Sequence, residues 1–115
     1  MKRIAKITKK LDVLDVINVE DSVNFNDALN QDIPMLGAAV IIEDNAAGES
    51  GLSYIFAADG TVYGGISDTV CGSVELIIDY MNLYPNKMMS CRLTSKVSEN
   101  GRDFLTIRFS EIKEA

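Results

Sequence analysis

Residues 54–66 read Tyr54-Ile55-Phe56-Ala57-Ala58-Asp59-Gly60-Thr61-Val62-Tyr63-Gly64-Gly65-Ile66, two β-prone runs on either side of Asp59-Gly60. Branched and aromatic residues suit a pleated, half-buried strand, and Asp-Gly supplies the two positive-φ residues of a type I′ hairpin turn. With Asp59-Gly60 as a two-residue turn, Phe56 stands opposite Tyr63 and Tyr54 lies diagonally on the same face. Ile55, Ala57, Val62 and Ile66 share the other face. The segment predicts a hairpin with aliphatic residues turned inward and three rings, Tyr54, Phe56 and Tyr63, turned outward.

Toward the C-terminus, Ser67 and Asp68 are each able to cap a helix, since either side-chain oxygen accepts a first-turn N–H. Val70, Val74, Ile77, Ile78 and Met81 recur at helical spacing as one apolar stripe, which predicts a helix to about Asn82, ended by Pro85-Asn86. In the second hairpin, Met89, Cys91 and Leu93 alternate with Ser90, Arg92 and Thr94; Leu105, Ile107 and Phe109 alternate with Phe104, Thr106 and Arg108. A two-residue Asn100-Gly101 turn would set Lys96 against Leu105 and mix the faces. A three-residue loop Glu99–Gly101, with Gly101 left-handed, sets Leu93 against Ile107 and Cys91 against Phe109. The longer turn is therefore predicted, and it gathers Arg92, Lys96, Phe104 and Arg108 on the outer face.

Toward the N-terminus, Asp44–Gly51 is rich in turn residues and reads as a loop. The small and β-branched run Leu36–Ile42, after Pro34, reads as a buried strand, and Asn26–Leu29 suits a short helical turn. Residues 1–20 alternate weakly through Ile4, Ile7, Leu11, Val13 and Val16, a period that leaves helix and strand open. The organisation expected is a basic N-terminal arm or edge strand over 1–20 and one domain over 21–115. Strand, strand, strand, helix, strand, strand is the element order of an OB-fold. The fold class expected is therefore mainly β, a five-stranded OB-type barrel with one helix between strands 3 and 4 and an N-terminal arm. In that topology the first strand pairs with the last two.

With 115 residues, 47% of them hydrophobic and 24% charged, the chain has the size and composition of one globular domain. That length buries a core without help from disulfides or metals, and Cys71 and Cys91 are expected as buried thiols in a reducing, cytoplasmic setting. No apolar run reaches the roughly 20 residues of a membrane span, and Met1–Lys10 leads into no signal-peptide core. The net charge is −6, unevenly laid out. Residues 1–10 hold five cations and no acid, residues 11–86 thirteen acids and no cation, and residues 87–115 six cations against four acids. If the two ends meet in space, a basic face is set against an acidic remainder.

The residues argue against an enzyme. Histidine, the commonest acid–base group and metal ligand, is absent. The two cysteines are too few and too far apart for a zinc site, Gly64-Gly65 opens no phosphate loop, and Glu43-Asp44 reads as a solvated loop edge. No cofactor or metal is expected. Two surfaces suit binding instead. Tyr54, Phe56 and Tyr63 offer rings of the kind on which unpaired bases stack, although rings on an outer sheet face also serve cross-strand pairing or lie beneath a loop or arm. Arg92, Lys96 and Arg108 around Phe104, with Arg102 nearby and Lys9-Lys10 from the arm, offer phosphate contacts. Two arginines opposed across a strand pair repel unless an anion or acid lies between them.

The run Asp59-Gly60-Thr61-Val62-Tyr63-Gly64-Gly65-Ile66-Ser67 ahead of the helix, with Gly101-Arg102-Asp103-Phe104-Leu105-Thr106-Ile107 in the closing hairpin, resembles small phage- and plasmid-encoded single-stranded DNA-binding proteins. The shared form is D-G-x-x-Y-G-x-x-S, a helix, then G-x-x-F-L-T, and the resemblance spans roughly Phe25–Phe109. It implies an OB-fold that coats replication intermediates without sequence preference, with Tyr63 as the hairpin aromatic and Phe104 as the closing-strand aromatic. The expected function is sequence-independent single-stranded DNA binding in phage or plasmid replication or recombination. No membrane partner is expected, and an exposed strand edge suits a homodimer. The cation-free stretch 11–86 motivates the alternative, an acidic protein–protein interaction module such as a phage-encoded inhibitor or assembly factor.

Overall fold

A computed structural model describes residues 2–113; Met1, Glu114 and Ala115, the extremes of the expected arm and domain, lie outside the described residues. One long strand, β3 (Asp32–Asn45), organises the rest. Its apolar run is buried on both faces: Ala38, Val40 and Ile42 turn to the main core, Ala39 and Ile41 to a second cluster behind the sheet. β4 (Gly48–Ala57) lies antiparallel along one edge of β3, from Met35↔Ala57 to Asn45↔Gly48. The other edge is divided between β6 (Met89–Val97), which pairs with Asp32–Met35, and β1 (Lys2–Ile7), which pairs with Ala39–Glu43. At the changeover the Thr8 N–H donates to the Ala38 carbonyl at 3.0 Å, and Thr8 Oγ1 accepts from the Ala38 N–H at 3.1 Å. Buried backbone groups need such partners. A Cβ on Gly37 would stand 2.3 Å from Thr8 Oγ1 and 2.7 Å from Leu11 Cγ, so only glycine lets the N-terminal segment cross β3 this closely.

β5 (Val62–Gly65) follows β4, β2 (Val23–Asn24) joins β5 in parallel, and β7 (Asp103–Glu111) pairs with β6. The order is β2-β5-β4-β3-β6-β7 with β1 beside β3. This sheet curls over α2 (Asp68–Leu83) without β5 reaching β7. The segment after β2 spans the gap: a 3-10 turn, Phe25–Asp27, then Leu29 bridging Leu93 and the Asn30 N–H donating to the Leu93 carbonyl at 2.8 Å. Ser67 caps α2, its Oγ accepting from the Val70 N–H at 3.4 Å. The predicted stripe Val70, Val74, Ile77, Ile78 and Met81 packs on Phe25, Ile33, Ile55 and Leu93 to form the main core. On the other side of the sheet, α1 (Val13–Ile17), capped by Asp12, brings Val16 with Leu11 onto Ala39 and Phe56.

The mainly β class holds as a curled, open sheet, but the strand count does not. Seven strands replace five, and the helix expected between strands three and four lies between β5 and β6 because β1 and β2 come first. β3, first of the five expected strands, pairs with β6 and not with β7. The stretch 44–51, expected as a loop, instead extends the β3–β4 hairpin, with Asp44↔Glu49 and Asn45↔Gly48 paired. Its polar composition suited an exposed ladder as well as it suited a loop.

Candidate nucleic-acid interface

The β4–β5 turn holds three residues, not two. The Ala57 N–H donates to the Thr61 carbonyl at 2.9 Å, the Gly60 N–H donates back to Ala57 at 3.1 Å, and Gly60 takes φ +94°. Asp59 Oδ1 accepts from the Thr61 N–H at 2.9 Å, a bond that holds its carboxyl below the usual range. A one-residue slip exchanges the faces of a strand: Ile55 now faces Tyr63 and Phe56 faces Val62. Tyr63 therefore packs, half-buried, against the main core, and Val62 joins the cluster behind the sheet, while Ile66 lies exposed beyond β5. Phe56 is only 7% exposed, sealed in with Leu11 and Val16. Tyr54, half-buried, meets it edge-on at 6.2 Å between centroids. The outward aromatic triad is corrected on this point: the N-terminal segment packs over Tyr54 and Phe56, leaving Phe56 no face for a base, and Tyr63 is turned to the main core.

The closing hairpin has the predicted register. Leu93 faces Ile107, Cys91 faces Phe109, and Gly101 takes φ +77° in the three-residue loop between Ser98 and Arg102. Cys71 and Cys91 are buried free thiols, and burial pushes the Cys91 thiol up to about 12. On the outer face three cross-strand pairs form a ladder: Arg92↔Arg108, Thr94↔Thr106 and Lys96↔Phe104. The two threonine hydroxyls are 2.7 Å apart. Asp32, at the start of β3, takes the Arg92 Nε at 2.9 Å, which relieves the opposed arginines. Lys96, Arg102 and Arg108 are exposed and make no ion pair among the described residues. Phe104, 39% exposed, borders a cleft with Asn26 and Ser67.

The arm cations fall elsewhere. Arg3 binds Asp44 at 3.1 Å and Glu49 at 3.6 Å, and Lys6 binds Asp79 at 2.6 Å. Lys9 and Lys10 sit at the last turn of α2, where the Lys9 backbone N–H donates to Asn82 Oδ1 at 2.7 Å. The arm thus meets the helix end and the middle of β3, and Lys9-Lys10 lie about one helix length, roughly 24 Å for sixteen residues, from the Phe104 end near Ser67. Lys87 borders the same cleft as Lys9 and Lys10 and belongs to a second cationic and aromatic group. Lys87 Nζ donates to the Tyr80 hydroxyl at 3.0 Å and lies 4.8 Å from the centroid of the Tyr84 ring, with the two rings 4.9 Å apart. The Tyr80 hydroxyl raises the Lys87 ammonium above its ordinary value. Tyr80 lies in the last turn of α2 and Tyr84 caps it, whereas Lys87 follows Pro85 beyond the helix, so no helical spacing marks the group in the sequence.

An exposed ring beside cations that make no ion pair among the described residues can stack a base and contact phosphates. A family model, Phage Single-stranded DNA-binding protein, matches residues 8–110. The chain belongs to the phage single-stranded DNA-binding protein family. No curated protein and no solved structure matches it. Single-stranded DNA is the ligand class of this family member, and of the two functions considered from sequence, membership supports DNA binding over an acidic interaction module. The matched residues take in Lys9, Lys10 and α1, positions of this chain outside the resemblance read from its sequence. No helix among the described residues is long and apolar enough to cross a membrane.

Proposed function

We propose that the chain coats single-stranded DNA without sequence preference in phage replication or recombination, and that the outer face of β6–β7 is where it does so. The observation that carries this is the uncovered ladder Arg92/Arg108, Thr94/Thr106, Lys96/Phe104, next to an outer face of β3–β5 that the N-terminal segment closes. Residues two apart on a strand are roughly 6.8 Å apart, so Phe104, Thr106 and Arg108 line up a ring, a hydroxyl and a guanidinium at a spacing that suits successive nucleotides. Phe104 stacks a base; Arg108, Lys96 and Arg102 contact phosphates; Lys9, Lys10 and Lys87 with Tyr84 take up a strand that continues around the end of α2. Tyr63 and Tyr54 contribute ring edges only. None of these contacts uses a sequence-specific donor pattern, and the protein does no covalent chemistry of its own. β3–β7 with α2 are read as an OB-type unit to which β1, α1 and β2 are added, working in the cytoplasm where phage DNA is copied.

The test is tyrosine fluorescence and fluorescence anisotropy with oligothymidine at several salt concentrations. The three phosphate contacts of the β6–β7 face alone predict a log–log slope of about −2 for a single strand, steeper for one long enough to reach Lys9, Lys10 and Lys87. No binding at low salt, or a slope near zero, would overturn the proposal.

A further inference from the structure

β7 ends the sheet, and its outer edge has no strand beside it among the described residues. The Ser98 N–H donates to the Arg102 carbonyl at 2.8 Å and the Ile112 N–H to Met88 at 2.7 Å, with unbroken register between them. Antiparallel bonding alternates along a strand. The even-numbered residues of β7 therefore bond to β6, and the N–H and C=O groups of Asp103, Leu105, Ile107, Phe109 and Glu111 point away from it. Edges are normally blunted by proline, a bulge, shortness or charge; β7 has no proline or bulge over nine residues, and its charges, Asp103, Arg108 and Glu111, leave the stretch Phe104–Ile107 uncharged. Beside the edge, on its inner side, runs an open apolar groove of about 510 Å³ between Ile107 and Phe109 of β7 and Leu76, Ile77 and Tyr80 of α2. Leu76 is 72% exposed there. A bare edge flanked by an apolar groove suits an added strand, whose backbone takes the edge while its side chains fill the groove.

We infer that the added strand is β7 of a second copy of this chain, antiparallel about a twofold axis through Thr106. Charge and the length of strand paired select this occupant and this register. Facing residues must share a face of the sheet, which leaves registers centred on successive residues of β7. Centred on Leu105, Arg102 meets Arg108; centred on Ile107, Asp103 meets Glu111; centred on Arg108, two arginines meet. Like charges directly opposed are unfavourable. Centred on Thr106, Arg108 faces Phe104 of the second copy, a cation–π pairing, Leu105 faces Ile107, and no like charges meet. Registers centred on Phe104 or Phe109 also avoid opposed like charges, but they pair only three or five residues of β7, and the second sets Ile107 against Glu111. The Thr106 register pairs seven, and in it the strand is self-complementary, as a twofold interface requires. The inner side chains of each β7 enter the groove of the other copy, and the two outer ladders join edge to edge.

The experiment is oxidative cross-linking of the full-length chain in the absence of DNA, so that its failure leaves the DNA interface on β6–β7 untouched. Thr106 meets its own copy at a non-hydrogen-bonded site, where Cα atoms lie roughly 4.5 Å apart, within disulfide reach. Thr106→Cys is expected to become a covalent dimer under mild oxidation. Phe104→Cys and Arg108→Cys, each alone, should stay uncrosslinked, whereas an equimolar mixture of the two should cross-link. The buried Cys71 and Cys91 set the background, measured on the unsubstituted protein. Sedimentation equilibrium of that protein should show a concentration-dependent monomer–dimer equilibrium, whatever the fate of the variants. A chain that is monomeric up to millimolar concentration, as it would be if the edge served a different protein, overturns the inference; so does Phe104→Cys cross-linking to itself.

Discussion

Arg92 and Arg108 face each other across the β6–β7 ladder, and Asp32 binds only the first of them, at 2.9 Å. One guanidinium is thereby committed to the protein and the other is left for a ligand. Arg108→Ala should weaken oligothymidine binding and flatten the log–log salt slope by about 0.7, one phosphate on a single strand. Arg92→Ala should move the slope less, and Asp32→Asn should tighten binding by releasing Arg92. Anisotropy over a salt series reads all three; equal effects of the two arginine substitutions would remove the distinction.

Two phenylalanines of the chain separate binding from folding. Phe104 is partly exposed beside Lys96, whereas Phe56 is enclosed by the N-terminal segment. Phe104→Ala should cost about 1–3 kcal/mol of binding, roughly 5- to 150-fold, with little change in melting temperature. Phe56→Ala should cost about 3–5 kcal/mol of stability through the cavity it leaves, and whatever protein remains folded should bind normally. A Phe104→Ala variant that binds like the parent would remove the ring from the interface.

The Cys91 thiol, ordinarily near 9.0, is pushed up to about 12 by burial and the nearby Asp32 charge. The folded state holds the protonated form, so this stabilisation is complete below pH 9 and is lost as the pH rises toward 12. Between those values the parent should lose stability more steeply than Cys91→Ala, as urea titrations at stepped pH would show. Parallel curves would mean the thiol does not titrate with unfolding.

At Gly37, a methyl group would stand 2.3 Å from Thr8 Oγ1. Gly37→Ala should therefore lift the N-terminal segment off β3, at a cost of about 1–3 kcal/mol, and expose the Leu11–Val16 stretch to limited proteolysis. Thr8→Val, which leaves the Ala38 N–H without its acceptor, should act the same way at about 1–3 kcal/mol. A Gly37→Ala protein cleaved no faster than the parent would show that the segment docks independently of that crossing.

The hairpins show what the sequence could and could not specify. At β6–β7, strict alternation of apolar and polar residues made only one register keep the faces separate, and that register is the one formed. At β4–β5, Val62 and Tyr63 are both apolar enough to face inward, so alternation did not choose between loop lengths, and the Asp59 carboxylate bonding Thr61 did. The helix was legible from its stripe and its serine cap. β1 and the covering of Phe56 were legible only as open alternatives, an edge strand and an arm over the rings, because they depend on residues near the N-terminus pairing with Ala39–Glu43, a separation that local periodicity does not register. Of the interface, the ladder was visible in advance; the Tyr84–Lys87 group was passed over because both residues follow the apolar stripe.

The divided edge of β3 also sets an order of assembly. Its pairing with β4 closes across a tight turn and can form early, but Asp32–Met35 must wait for Met89–Arg92, nearly sixty residues later in synthesis. β1, made before β3, finds its seat only once β3 has been made. Pairings this remote slow the search for the native state, toward milliseconds to seconds for domains rich in non-local contacts. A chain released before Met89 would leave half of that edge open to other strands.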